Sequence, residues 1–68
     1  MKNIQEIIYQ SYKVREAWAT FGGSFLKGLS QALIHADIFN IQKIYSTWTE
    51  EWENGLEQYE KYIQSKCN

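Results

Sequence analysis

Apolar side chains recur along this chain at intervals of three and four. In the first half the series is Ile4, Ile7, Ser11, Val14, Trp18, Phe21 and Phe25; in the second it is Ile38, Ile41, Tyr45, Trp48, Trp52, Leu56, Tyr59 and Ile63. That alternation keeps side chains on one face of an α-helix, and nothing alternates with period two, so both halves read as amphipathic helix. The pattern predicts an all-α fold, a compact bundle of three to four helices forming a single helical domain over residues 1–68.

With no proline present, boundaries fall to Gly, Asn, Asp, Ser and Thr. The first helix is expected over residues 3–21. Asn3 serves as N-cap with Glu6 at capping-box spacing, and Gly22-Gly23 ends the helix by tolerating left-handed backbone. Ser24 then caps a second helix reaching about residue 35, and Asp37 caps a third. Thr47 stands three residues before Glu50, a second capping-box spacing, which favours a separate fourth helix over residues 49–64. The alternative is one long helix kinked at residues 47–49 or at Asn54-Gly55. Asn-Gly also signals a hairpin, but its Glu-rich flanks argue against one. Gly28, Ala32 and Ala36 form a side of little bulk that predicts close helix packing inside the monomer. The expected core is Ile8, Trp18, Phe21, Leu29, Leu33, Ile41, Ile44, Trp48, Trp52 and Leu56.

Composition sharpens this picture in one respect. Eleven of 68 residues are aromatic, more than so short a chain needs for its small interior. Tyr9, Tyr12, Phe39 and Tyr62 lie off or beside the stripes, which points to an intermolecular face and to a homo-oligomer, most simply a homodimer.

Net charge is −1, without the basic footprint of a general nucleic-acid binder. Its distribution is uneven: residues 1–36 balance at +2 and residues 37–68 at −3. The halves therefore attract each other weakly, within one chain or between copies. Glu50, Glu53, Glu57 and Glu60 share a helical side flanking Trp52, Leu56 and Tyr59. Such a surface suits an Arg/Lys-rich protein, including one that normally holds nucleic acid, and Glu50, Glu53, Glu57, Trp52 and Tyr59 are the expected partner-binding residues. The plainer reading is a solvated helix face with i,i+4 pairs such as Glu57–Lys61.

Candidate chemistry is thin. His35 with Asp37 is too small a set for a metal site or a nucleophilic triad, and an imidazolium at a helix C-terminus suits the helix dipole. Gly22-Gly23-Ser24 lacks both the strand and the Lys-Ser/Thr pair of a phosphate loop. A helix-turn-helix reading over residues 37–48 has only Lys43 to meet phosphate. No catalytic residue, cofactor or metal ligand is expected, and an enzyme is the least supported class. The single cysteine, Cys67, permits no intrachain disulfide. The N-terminal residues lack a signal-peptide core and no apolar run is long enough to span a bilayer, so the expectation is a cytoplasmic protein with no membrane or direct nucleic-acid contact.

From residue 21 onward the chain resembles short helical accessory proteins of phages and other mobile elements. The residues concerned are Phe21-Gly22, Leu29, Ala32-Leu33, Ala36-Asp37, Asn40, Lys43-Ile44, Trp48 and Glu51-Trp52. The resemblance covers about half the chain and rests on helix-packing and capping residues. It implies a small protein that binds and inhibits a host protein, such as a defence-system component. A self-assembling structural protein is the alternative, and a DNA-binding regulator a more distant one.

Overall fold

Asn3 opens the first helix as its spacing predicts, its Oδ1 accepting the Glu6 N–H at 2.9 Å. The computed structural model describes residues 3–67 in backbone and 3–65 in side chain, which leaves the Cys67 thiol outside the described residues. Four helices and no strand occur among them: α1 (Ile4–Phe21), α2 (Ser24–Ile34), α3 (Ile38–Thr47) and α4 (Thr49–Cys67).

Their ends follow the expected residues, with three local differences. Gly22 and Gly23 have φ of −78° and −77°, so the α1–α2 turn uses no left-handed backbone. Gly22 is needed for space instead. A Cβ there would lie 2.5 Å from both the Leu26 Cβ and the Trp18 carbonyl oxygen. Ser24 is not the cap of α2; Gly23 holds that position, without a side-chain hydrogen bond, and Ser24 is already helical. Asp37 does cap α3, accepting the Asn40 N–H at 2.9 Å.

Between α3 and α4 only Trp48 departs from helix, at φ −120° and ψ 51°, so the C-terminal half is two helices rather than one. The hydroxyl at work in this joint belongs to Thr49, not Thr47. Thr49 Oγ1 donates to the Tyr45 carbonyl at 2.7 Å and reaches the Ser46 carbonyl at 3.3 Å. A side chain bonding back to a carbonyl of the preceding turn bends helices. Asn54-Gly55 lies inside α4 and makes no turn.

Helix α1 packs against all three others, most extensively α2 and α4. The core comprises Ile7, Val14 and Trp18 from α1, Leu33 from α2, Ile41, Ile44 and Tyr45 from α3, and Trp52 from α4. Leu29, Trp48 and Leu56 pack against it while partly buried. Ile8 and Phe21, expected inside, are 37% and 47% exposed. Ile7, 2% exposed, takes the interior place beside Ile8; adjacent helical residues point about 100° apart, and here the stripe centred on Ile7, Val14 and Trp18 leaves Ile8 at its edge.

Two indoles hold the middle of the molecule. Trp18 and Trp52 meet edge to face at 6.1 Å, and Tyr45 meets Trp52 the same way at 5.5 Å. Burying each ring removes on the order of 200 Å² from water, worth about 5 kcal/mol, against roughly 1 kcal/mol for the ring geometry. Burial therefore dominates, provided that the indole N–H groups find acceptors. They do: Trp18 Nε1 donates to the Glu51 carbonyl at 3.2 Å and Trp52 Nε1 to Gln10 Oε1 at 3.3 Å. Gly55 makes the first of these possible. A Cβ there would stand 3.1 Å from Trp18 Nε1, so even an added methyl would crowd the indole and make it give by a few tenths of an ångström. Ser30, the one buried polar residue among those described, donates to the Lys27 carbonyl at 2.8 Å. Among the described residues no buried side-chain nitrogen or oxygen lacks a partner.

Candidate protein-binding faces

The first face is the outer side of α4. Glu50, Glu53, Glu57 and Glu60 are all exposed, while Trp52 points inward and is fully buried. Trp52 thus fixes the helix from beneath and presents nothing to a partner, contrary to its expected place among the contact residues. The period of α4 explains this. Trp52 lies on the apolar stripe with Gly55 and Leu56, and the carboxylates occupy the opposite side. Tyr59 is half-buried, its ring edge against Tyr12 at 6.2 Å.

Folding brings a cation to this face that the linear order hides. Lys13 of α1 donates to Glu60 Oε1 at 3.2 Å, and its ammonium stands 5.3 Å from the Tyr9 ring centre and 5.8 Å from that of Tyr59. The hydrogen bond to Glu60, with the field of that carboxylate, raises the Lys13 pKa above its ordinary value despite partial desolvation. Partial desolvation likewise raises the Tyr12 phenol, with Tyr9 adding to the effect and Lys13 opposing it. The opposite charges of the two halves meet here, within one chain. Glu57 bonds Lys61 at 3.2 Å one turn on, as its i,i+4 spacing predicts. Both ion pairs involve exposed carboxylates, and such pairs contribute at most about 1 kcal/mol. Glu50 and Glu53, both exposed, extend the acidic side towards the start of α4.

The second face lies across α2 and α3 and was not read from the periodicity. Of Gly28, Ala32 and Ala36, the residues expected to pack closely, Ala36 is partly buried against the core while Gly28 and Ala32 are exposed. A Cβ at Gly28 would meet nothing within 4 Å. Ala32 and Ala36 instead form, with Ile44 and the Trp48 indole, the apolar lining of an open groove of about 450 Å³. His35, Asn40, Lys43 and Thr47 make its polar rim. At one end Phe25, 61% exposed, lies edge-on to Trp48 at 5.8 Å. Lys43 and Thr47 also border a second open depression that includes Phe39, at 71% the most exposed large apolar side chain among the described residues. The available signal was Phe39 itself, a ring on the polar side of its helix.

His35 is the C-cap of α2, as expected, and sits at the groove rim. Among the described residues no group of three or more His, Cys, Asp or Glu is placed to hold a metal ion. None of the described helices is long and apolar enough to cross a membrane. The chain is thus an all-α protein of four helices with two contrasting outer faces. Comparison with protein-family models, curated proteins and solved structures finds no match to it.

Proposed function

We propose that this chain is a small non-enzymatic binding protein, of the kind phages and mobile elements encode, which captures and blocks a host protein. A defence-system component with a basic surface is the intended target class, and the cytoplasm of the host cell the intended place. One observation carries the reading. Among the described residues, eight large hydrophobic side chains are exposed around a core whose buried side-chain polar atoms all have partners. Several of the rings lean on neighbours within the chain, yet Tyr9, Phe25 and Phe39 remain more than half exposed, and interfaces use such side chains as anchors.

For the host partner the acidic side of α4 is the favoured contact. Glu50, Glu53 and Glu57 stand on a helix fixed by Trp52, so the charge is held in place before binding, with Tyr59 beside it. Preorganised charge speeds encounter with a basic partner and selects against acidic ones. The test is affinity capture from host lysate with the wild-type chain and with Glu50, Glu53 and Glu57 all replaced by Lys. The expected result is a partner retained by the first and lost by the second, with unchanged far-UV circular dichroism. Equal recovery removes the acidic side from the interface. Failure of the wild-type chain to retain any partner, at concentrations that saturate micromolar binding, ends the inhibitor reading.

A second reading, self-association, is favoured by the α2–α3 face, where the exposed rings border a groove rather than a charged surface.

A further inference from the structure

A single residue separates α3 from α4, and the backbone on either side of it is already in register for one continuous helix. The Trp48 N–H donates to the Ile44 carbonyl and the Trp52 N–H to the Trp48 carbonyl, both at 2.9 Å and both at the four-residue interval of an α-helix. The first N–H groups of any helix have no acceptor within it, and its last carbonyls have no helical donor. Here those groups belong to Thr49, Glu50 and Glu51 on one side and to Tyr45, Ser46 and Thr47 on the other. They match one to one, four residues apart, once Trp48 leaves φ −120° and ψ 51° for helical values. In the closed chain the Thr49 hydroxyl occupies the Tyr45 and Ser46 carbonyls instead. No glycine or proline stands between Ile44 and Trp52 to oppose the straight form.

A straight α3–α4 would run from Ile38 to Cys67, about 45 Å at 1.5 Å per residue, against a longest extent of 36 Å for the folded chain. Straightening therefore carries α4 away from its own α1. It would uncover Val14 and Trp18, which are 0% and 1% exposed in the closed chain. The surface that fits them is known, because it is α4 itself. Gly55 lies against Trp18 and Val14, Trp52 donates to Gln10, and Glu60 meets Lys13.

We propose that two copies of this chain exchange α4, each straightening at Trp48 and laying its α4 on the α1 of the other. Receptor and occupant are the two sides of the α1–α4 contact, with the same hydrogen bonds and ion pair restored between copies. Short hinges between well-fitted elements favour such exchange. The exchanged form keeps those contacts and closes the backbone bonds at the joint, while association costs the freedom of one molecule. The monomer therefore prevails when dilute and the exchanged dimer when concentrated. Reciprocal exchange leaves neither α1 uncovered, so it stops at two copies. This route to self-association makes no use of the α2–α3 groove and is independent of any host partner.

Refolding the full chain from denaturant at micromolar and at millimolar concentration, followed by sedimentation velocity, tests this. The expected result is monomer from the first and dimer from the second, the dimer reverting on dilution only as fast as the chain unfolds. Thr49→Pro separates this dimer from any other. Proline suits the first position of α4 in the monomer, but inside a continuous helix it lacks an N–H and its ring meets the Tyr45 carbonyl. It should raise the dimer dissociation constant about a hundredfold or more. Thr49→Ala, which removes the competing hydroxyl and favours helix, should lower that constant about tenfold. A further measurement needs no change at the hinge. Lys13→Glu and Glu60→Lys each place like charges together within a chain, and opposite charges meet only when α4 crosses between the two variants. Refolded as a mixture, they should form mixed dimers above the random proportion. A wild-type chain still monomeric after millimolar refolding, a dimer formed equally well by Thr49→Pro, or mixed dimers at the random proportion would overturn the proposal. None of these outcomes depends on capture of a host protein, so the two readings fail separately.

Discussion

The α1–α4 contact and the α2–α3 face are built from the same kinds of residue, yet one is closed and the other open. Between α1 and α4 each indole has a hydrogen-bond acceptor on the opposite helix, and Gly55 lets the backbone come close enough for Trp18 to reach it. On the α2–α3 side Phe25 and Trp48 also meet edge to face, but Phe25 remains 61% exposed and Trp48 partly so. The two sides also treat small residues differently. Gly55 is buried beneath an indole, whereas Gly28 faces open space. Aromatic content therefore does not distinguish core from surface in a chain this short. What distinguishes them is whether a polar partner and a gap of the right depth stand opposite the ring.

The largest expected effect breaks the closed side. Trp52→Ala should lose about 3–5 kcal/mol, comparable to the whole stability of a small domain. Thermal melting followed by circular dichroism should show a largely unfolded variant at room temperature. A cooperative melt near that of the wild type would show that α4 is held by something other than this ring. Next comes Gly22→Ala, expected to cost about 1–3 kcal/mol because the added methyl meets the Trp18 carbonyl, which cannot rotate away. The matching change on the open side has the opposite sign. Gly28→Ala should stabilise by about 1 kcal/mol, since the helix gains a better former and the methyl meets nothing. Urea titration of the two variants side by side measures this contrast, and a destabilised Gly28→Ala would mean that something already stands over that side of α2.

The smallest effect concerns pH. Lys13 and Tyr12 both have folded-state pKa values above their ordinary ones of 10.5 and 10.0. The folded chain thus holds these protons longer than the unfolded chain does. Their contribution is present in full below about pH 10 and is lost as pH rises through the raised values. Lys13→Met should remove the lysine's share of the alkaline loss without reducing that of Tyr12, and leave neutral pH almost untouched, as expected for a pair with an exposed carboxylate.

How far the sequence could be read depended on the range of the forces involved. Asn3 and Asp37 cap helices through bonds three residues long, and those ends were legible because the determinants are local. The separation of α3 from α4 was legible too, although the hydroxyl responsible is that of Thr49. Ile7 against Ile8 was not, because both are equally apolar and only the positions of α2, α3 and α4 decide which one is covered. Phe21 fell to the surface for a similar reason; it ends α1 and leans on Tyr62, its ring centre 5.6 Å away, at the periphery. The carboxylates of α4 were placed correctly on one side, yet Lys13 came to them from 47 positions away, a distance no spacing rule covers. The groove escaped notice because a run of small residues looks the same whether a helix covers it or water does.

The three indoles also sort themselves into two optical classes. Trp18 and Trp52 sit in a dry interior and should emit at short wavelength, each shielded from dissolved quenchers, while Trp48 at the groove wall is within reach of them. A soluble quencher such as acrylamide should therefore extinguish one component of the emission first. Anything that covers the groove will protect that component, so the chain carries its own fluorescent reporter of occupancy.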